Sequence, residues 1–434
     1  MAQTIRSSIE EVAARFERAF PPQLETPRTV GREGEYPLVA EDGAAVDLTT
    51  IWPLLLADGD LSPKFDAVNQ EMIVGLEGID YGYALEVGRS TLEIYTRPCP
   101  HLLELQEVHN RALHRLVAAA AQRGWRVLGY GIQPLTPPST TLMSPKQRYR
   151  AMFEIMGEDW LWYTVTASEQ LHVDVARPEM IRVLNLGLLM TPVVIAFCAN
   201  SPIYAGSVSD FCSAREGMVI QRSRYANRHG MADQPYADLP DFVERLAQLP
   251  FLLHREGSYL LPDGRPFVDV LASEGVDFES FLLHDHYVWH SARLRVAHGT
   301  LELRPACQQP PGEQMAAAAL YLGIVEAADQ IEAYLHVNLG DQCWEAMKRY
   351  HAEATRHGLT ASEPIPGFLA SVLGFVEDAL HRRGYGEERL LPPLWDRLAA
   401  QENPAQRAKK IFVRAGVTGL IETLTLRNDE GMMG

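Results

Sequence analysis

The first twenty residues, MAQTIRSSIEEVAARFERAF, place apolar side chains at helical spacing among charges, which predicts an amphipathic helix. The same period runs through 101–123, HLLELQEVHNRALHRLVAAAAQR, and stops at Gly124. The most apolar window, VLNLGLLMTPVVIAFCANSP at 183–202, approaches membrane-spanning length. Asn185 lies inside it, Thr191-Pro192 breaks it and Asn200-Ser201-Pro202 ends it. It therefore reads as a buried helix over 178–199 in a large core. From 311 to 426 the periodicity is almost wholly helical, with turn signals at PIPG (364–367) and LLPPL (390–394). The longest candidate loop is PLTPPSTTLMSPK, 134–146.

Four segments carry a period of two instead. Gln170, His172 and Asp174 alternate with Leu171, Val173 and Val175; Thr300, Glu302 and Arg304 alternate with Leu301 and Leu303. Thr91, Glu93 and Tyr95 alternate with Leu92 and Ile94, and GREGEY (31–36) offers Glu33 and Glu35 on one face. Such alternation predicts an antiparallel sheet with one core face and one polar face. The polar faces are rich in Glu, Gln, His and Arg, with hardly any of the Lys, Thr and Ser of a washed surface. The expectation is an α+β protein in which one curved sheet lines a cavity with its polar side.

Composition supports a soluble globular chain: 434 residues, 47% hydrophobic and 22% charged, enough for a large core. A balance of 56 acidic against 39 basic residues, net −17, argues against nonspecific nucleic-acid binding or an anionic membrane surface. Local arginines still leave room for an anionic substrate. Cys99, Cys198, Cys212, Cys307 and Cys343 are scattered, odd in number and without a CxxC pair, which implies a reducing compartment. With no secretory signal at the N-terminus, a cytoplasmic address is expected.

If the polar faces converge, Glu33, Glu35, Glu93 and Glu302 place four carboxylates in one cleft, with Gln170 and His172 beside them. Carboxylates about 4 Å apart repel by ~1–4 kcal/mol, so something must offset the charge. Mg2+ carrying nucleotide phosphates would do so with oxygen ligands. His284, His286 and His290 in HDHYVWH suggest zinc, but histidines on an aromatic strand are better read as packing residues. Neither GxxxxGK[ST] nor GxGxxG occurs, so a nucleotide would be held through metal and arginines. Arg304, on the Glu302 face, is the first functional candidate. Arg215 follows the apolar window, and Arg222, Arg224 and Arg228 beyond it read equally well as structural ion pairs.

These residues resemble a known family, the plant-like glutamate–cysteine ligases. GREGEY resembles the family's G-x-E-x-E strand, and LEVGRSTLEIYTRP its acidic strand pair, with Glu86 and Glu93 in the matching places. SPKQRYRAM resembles P-K-x-R-Y-x-x-M, and TASEQLHVDV resembles T-A-S-x-Q-V-N-x-D. NSPIYAGSVSDFCSAREGM follows the family's N-S-P segment to Arg215, and TLELRPACQQP resembles Y-L-E-x-R-G-A-D. Six motifs in order, from residue 31 to about 310, make the resemblance specific.

The resemblance implies a glutamine-synthetase-like fold: a curved antiparallel funnel flanked by helices, with residues 1–310 as catalytic core. The helical region 311–434 would pack on that core without being an independent domain. It implies ATP-dependent joining of glutamate's γ-carboxylate to the amine of cysteine through an acyl phosphate. Small amino-acid substrates are then the partners expected, with neither nucleic acid nor membrane among them. Residue by residue, it makes Glu33, Glu35, Glu93 and Glu302 metal ligands, with Glu86 as a further member. Arg304 and Arg215 take catalytic roles, and Lys146, Arg148, Tyr149, Gln170 and His172 contact nucleotide or substrate. Three departures bear on the substrate. His172 replaces the family's asparagine, Arg89-Ser90-Thr91 replaces G-G-Q, and Pro305-Ala306-Cys307 replaces G-A-D. A ligase acting on a different amine or acid is the alternative these positions raise; a non-catalytic sensor is disfavoured by the retained acids.

Overall fold

The computed structural model describes residues 2–24, 27–275 and 277–428. Nine strands form one wholly antiparallel sheet: β1 (Val30–Val39), β2 (Ser62–Phe65), β3 (Ile73–Glu77), β4 (Tyr81–Leu85), β5 (Thr91–Thr96), β6 (Arg126–Val127), β7 (Ser168–Asp174), β8 (Ala292–Arg295) and β9 (Thr300–Cys307). Their spatial order is β8-β9-β7-β1-β5-β4-β3-β2, with β6 beside the end of β1. The four alternating segments of the sequence are thus adjacent: β9, β7, β1 and β5.

Alternation sends the apolar residues of these strands to one side. On β5, β4 and the end of β1, Leu92, Ile94, Tyr83, Leu85, Tyr36 and Leu38 are buried with Ala112, Leu113 and Leu116 of helix Leu102–Ala121. That helix begins where His101 Nδ1 accepts the Glu104 amide at 3.1 Å, and the chain leaves it through Gly124 at φ +71°. Under β7, β9 and β8, Leu171, Val173, Leu301, Leu303, Ala292 and Leu294 join a second core. Helix Gln314–Glu326 is buried on nearly every side there, between β7 and helix Phe368–Arg383.

The apolar window is two helices, not one. Met180–Leu189 and Thr191–Cys198 meet at 44°, because Pro192 cannot continue the hydrogen-bond ladder of the first. All of Thr191–Cys198 is buried in the protein core. No single helix among the described residues is long and apolar enough to cross a membrane. Gly187 lets the first helix lie on the sheet, since a Cβ there would sit 2.8 Å from both Ala292 Cβ and Leu303 Cδ2.

One ion pair sits on the core side of the sheet. Arg32, 1% exposed, holds the buried Glu169 carboxylate across β1 and β7, with Nη2 donating to Oε2 at 2.6 Å. Tyr36 Oη lies 3.4 Å from the same Nη2 and 3.0 Å from His109 Nε2. Breaking such a pair strands a buried charge and typically costs about 3–5 kcal/mol. The network fixes the back of the strand that carries Glu33 and Glu35 on its other face.

Candidate active site

Register, rather than proximity in sequence, composes the polar face. Glu35 stands directly opposite Glu93, Glu33 lies between Tyr95 and Gln170, and Glu302 lies between His172 and Arg293. Residues i and i+2 on a strand are roughly 6.5–7 Å apart, too far to share one small cation with all the same partners. The single four-carboxylate cluster expected from the sequence is therefore two trios. Glu33, His172 and Glu302 bring one ligand atom each within 4.8 Å of one another, and so do Glu35, Glu86 and Glu93.

The two trios differ in charge. Arg293 Nε donates to Glu302 Oε2 at 2.6 Å, and Arg304 Nη1 lies 3.1 Å from Oε1. Burial alone would push the Glu302 carboxyl up; Arg293, Arg304 and Arg295 overcome that and hold it well below the usual range. His172 Nε2 lies 3.2 Å from Glu33 Oε1 and 3.7 Å from Glu302 Oε1, while its Nδ1 meets Thr300 Oγ1 at 2.9 Å. Burial opposes ionisation of Glu33 as well, and the His172 contact outweighs it, lowering that pKa. His172, expected among the nucleotide contacts, thus sits inside the carboxylate trio.

Around Glu35 compensation is incomplete. Burial and the neighbouring Glu86 raise its pKa to about 7 despite Arg215 and Arg304. Burial, then Glu33, Glu86 and Glu35, push Glu93 well above the ordinary range. Two donors orient Glu35: the Ser168 amide at 2.6 Å on Oε2 and Gln170 Nε2 at 3.1 Å on Oε1. Gln170 Oε1 in turn accepts from Arg304 Nη1 at 2.6 Å. This amide links the uncompensated trio to the catalytic-candidate arginine.

The Pro-Lys-x-Arg-Tyr stretch opens helix Gln147–Met156 behind the same trio. Lys146 is 6% exposed, donates to the Leu85 carbonyl just before Glu86, and has its pKa lowered to about 7 by burial. Arg148 lies 4.8 Å above the Tyr149 ring and donates to its hydroxyl at 2.9 Å. Arg215 stands in the first turn of helix Ala214–Arg222, where Ser201 Oγ of the Asn-Ser-Pro segment accepts its amide at 3.1 Å. Its Nη1 reaches the Pro305 carbonyl at 3.4 Å. Arg228 is a structural residue: it is fully buried and donates to the Tyr287 and Pro250 carbonyls. Arg224 pairs with Asp159.

Glu35, Glu86, Arg215 and Arg304 also line a chamber of about 120 Å3. Its walls include Trp160, Trp162, Tyr163, His229 and Trp289. His229 stacks on Trp289 at 5.2 Å and 15°, and Tyr163 Oη meets His229 Nε2 at 2.6 Å. The sequence reading missed this chamber. The signal available was the dense aromatic run WLWY (161 to 163 with Trp160) immediately before the Gln170 strand. It missed Arg293 too, whose alternation in ARLR (292–295) places it opposite Glu302. HDHYVWH is not a strand throughout: His284 and His286 end helix Phe278–His286, and only Trp289–His290 is extended. His284 stacks on Phe267 and bonds the Leu246 carbonyl, and His290 contacts the Asn227 carbonyl, so these two are packing residues.

Comparison with known proteins identifies the family. The Glutamate-cysteine ligase family 2 profile matches residues 58–409. A chloroplastic glutamate–cysteine ligase of Medicago truncatula is 25% identical over 373 residues, covering 81% of this chain and 72% of that one. Its Arabidopsis thaliana counterpart, also chloroplastic, is 24% identical over 79% of this chain and 68% of that one. The crystal structure of a Francisella tularensis glutamate–cysteine ligase in complex with AMP superimposes with a TM-score of 0.51. That match runs at 10% identity over 93% of this chain and 88% of the other. The shared fold is the glutamine-synthetase-like one. The chloroplastic names of these plant relatives contradict the cytoplasmic address expected from the N-terminus. With 352 of 434 residues matched by the profile, the chain belongs to glutamate-cysteine ligase family 2 and is an ATP-dependent ligase.

Proposed function

We propose that this funnel forms γ-glutamylcysteine: ATP phosphorylates the γ-carboxylate of glutamate, and the amine of cysteine displaces phosphate from the acyl phosphate. The observation that carries the reading is the meeting of three features at one point. Glu35 on the sheet and Glu86 just after β4, Arg304 and Arg215 beside them, and the aromatic chamber walls line one cavity. Phosphoryl transfer needs alignment and charge stabilisation more than covalent chemistry from the protein.

The donor set fits a hard divalent cation. Glu35, Glu86 and Glu93 offer oxygen only, and the raised pKa values of Glu35 and Glu93 mark charge that Arg215, Arg304 and Lys146 offset only in part. Glu33, His172 and Glu302 form a second candidate set, in which Arg293 and Arg304 already neutralise Glu302. Mg2+ held by these residues would neutralise the phosphate oxygens of ATP. Arg304 and Arg215 present guanidinium groups to the charge that develops on the transferring phosphoryl and the acyl phosphate. Gln170 fixes Arg304 relative to Glu35, and the aromatic walls keep water from the activated carboxyl.

ADP release measured with glutamate and each common amino acid in turn tests the reading. Cysteine is expected to support turnover at least about tenfold faster than any other amine. Equal or greater turnover with a different amine would replace cysteine as acceptor and favour the altered Pro305-Ala306-Cys307 segment as the cause.

A further inference from the structure

Glu216 follows Arg215 in the first turn of helix Ala214–Arg222 and lines the chamber. It is 9% exposed, and its buried Oε1 has no hydrogen-bond partner. The nearest cation-forming group is His351 Nε2 at 3.5 Å, a contact without hydrogen-bond alignment, and that nitrogen too lacks a partner. Burial alone would neutralise the carboxyl, but His351, Arg215 and His229 lower its pKa, so it stands as a carboxylate at neutral pH. Gly230 keeps the space beside it open: at φ +63°, a Cβ there would lie 3.1 Å from Oε1 and 2.8 Å from His351 Cε1.

Burial opposes that charge and the His351 contact lacks good alignment, so a cationic ligand would complete the pairing. The surrounding rings suit one. Tyr163, Trp160 and Trp289 form a continuous array, with centroids 4.9 Å apart for Trp160–Tyr163 and 5.1 Å for Tyr163–Trp289. Such faces attract ammonium groups. The chamber thus joins in one lining Glu35, Glu86 and the Arg304 and Arg215 guanidiniums with a further carboxylate, Glu216, and these rings. That polarity matches a molecule with a carboxylate at one end and an ammonium at the other.

We infer that Glu216 and the Tyr163–Trp289 box recognise the α-ammonium of the amino acid whose distal carboxyl is phosphorylated. The inference rests on the proposed reaction and assigns the donor side of it. The acceptor's amine must lose a proton before it attacks, and a defect confined to cysteine would place Glu216 on that amine instead.

The test compares glutamate with glutarate, which has the same distal carboxyl and no amine, using ADP release with cysteine as acceptor. Wild-type protein is expected to favour glutamate by about 100-fold in kcat/KM. Glu216→Gln should lower kcat/KM for glutamate by about 50-fold, leave glutarate unchanged, and leave the KM for ATP and for cysteine unchanged. Glu216→Asp, which keeps the charge, should retain a preference of about tenfold. His351→Gln should preserve most of the preference; if it abolished selectivity as Glu216→Gln does, the pair would be structural and the inference wrong. An unaltered glutamate preference in Glu216→Gln, or a loss confined to cysteine, overturns the inference alone. Wild-type protein that releases ADP with neither acid overturns the proposed reaction and the inference with it.

Discussion

Arg304→Ala is expected to lower kcat by about a thousandfold, with far smaller changes in the KM for ATP and glutamate. Arg304 leaves β9 two residues after Glu302 and so shares its face. There it reaches Glu302 at 3.1 Å and Gln170 Oε1 at 2.6 Å, and lines the chamber mouth with Arg215 and Glu35. A guanidinium in that position gains most when the phosphoryl oxygens carry developing charge, which is why the loss falls on kcat. Arg304→Lys keeps the charge but loses the planar fork, and should recover only about tenfold of the loss. Arg293 remains on Glu302 at 2.6 Å in either variant, so the carboxylate is not left bare and the fold should persist. Steady-state kinetics with circular dichroism checks both points. A fall in kcat below about fivefold would remove Arg304 from the reacting centre.

Glu93→Gln has the second large effect, and two opposite signs. Turnover at low Mg2+ should fall by about 100-fold or more, because one of three oxygen donors loses its charge. The metal-free protein should at the same time melt at a higher temperature. Glu93 stands opposite Glu35 in the register, and burial with Glu33, Glu86 and Glu35 raises its pKa well above the ordinary range. An amide there relieves like-charge repulsion.

Metal binding should also depend on pH, with a direction set by Glu35. Its pKa of about 7 in the metal-free fold means that a proton must leave before the carboxylate can serve as a ligand. Apparent Mg2+ affinity is therefore expected to weaken as pH falls through 7. Calorimetry in buffers of different ionisation heat should show proton release on binding near pH 6.5 and much less at pH 8.5. Glu35→Gln should reduce that dependence and leave the part owed to Glu93, whose pKa is raised as well. Stability without metal runs the opposite way to Mg2+ affinity, since a raised carboxyl pKa favours the folded state at low pH and that contribution is lost as pH rises toward 7. Buried His229 and His284, with pKa values near 3, oppose it by losing stability as pH falls below about 6.5. The Mg2+ measurement is the cleaner readout because those histidines are not among the donors.

The strands of the site were legible because alternation is local. Leu171, Val173, Leu301 and Leu303 each point to a core, and their neighbours must point away from it. Gathering four such strands into one sheet was legible from the chemistry of the polar residues, since Glu, Gln, His and Arg in that density are poorly suited to open solvent. Register was not legible. Nothing in GREGEY reveals that Glu35 faces Glu93 while Glu33 faces Gln170, and this one-residue distinction divides four acids into two trios. The bend in the apolar window was visible at Pro192, though apolar content alone favoured a continuous helix. Arg293 and Glu216 escaped notice for a different reason. Each takes its meaning from a partner distant in sequence or space: Glu302 across the sheet, and an aromatic wall assembled from Trp160, Tyr163 and Trp289. Pro305 of the altered segment lines the same chamber as these rings.

The central claim is that an oxygen of the γ-carboxylate passes to phosphate as the amide forms. Glutamate labelled with oxygen-18 in both γ-carboxyl oxygens, supplied with ATP, Mg2+ and cysteine, tests it in one experiment. The account predicts γ-glutamylcysteine and ADP in equal amounts, with the released phosphate carrying a single labelled oxygen. Unlabelled phosphate, or ADP formed without the dipeptide, would contradict it.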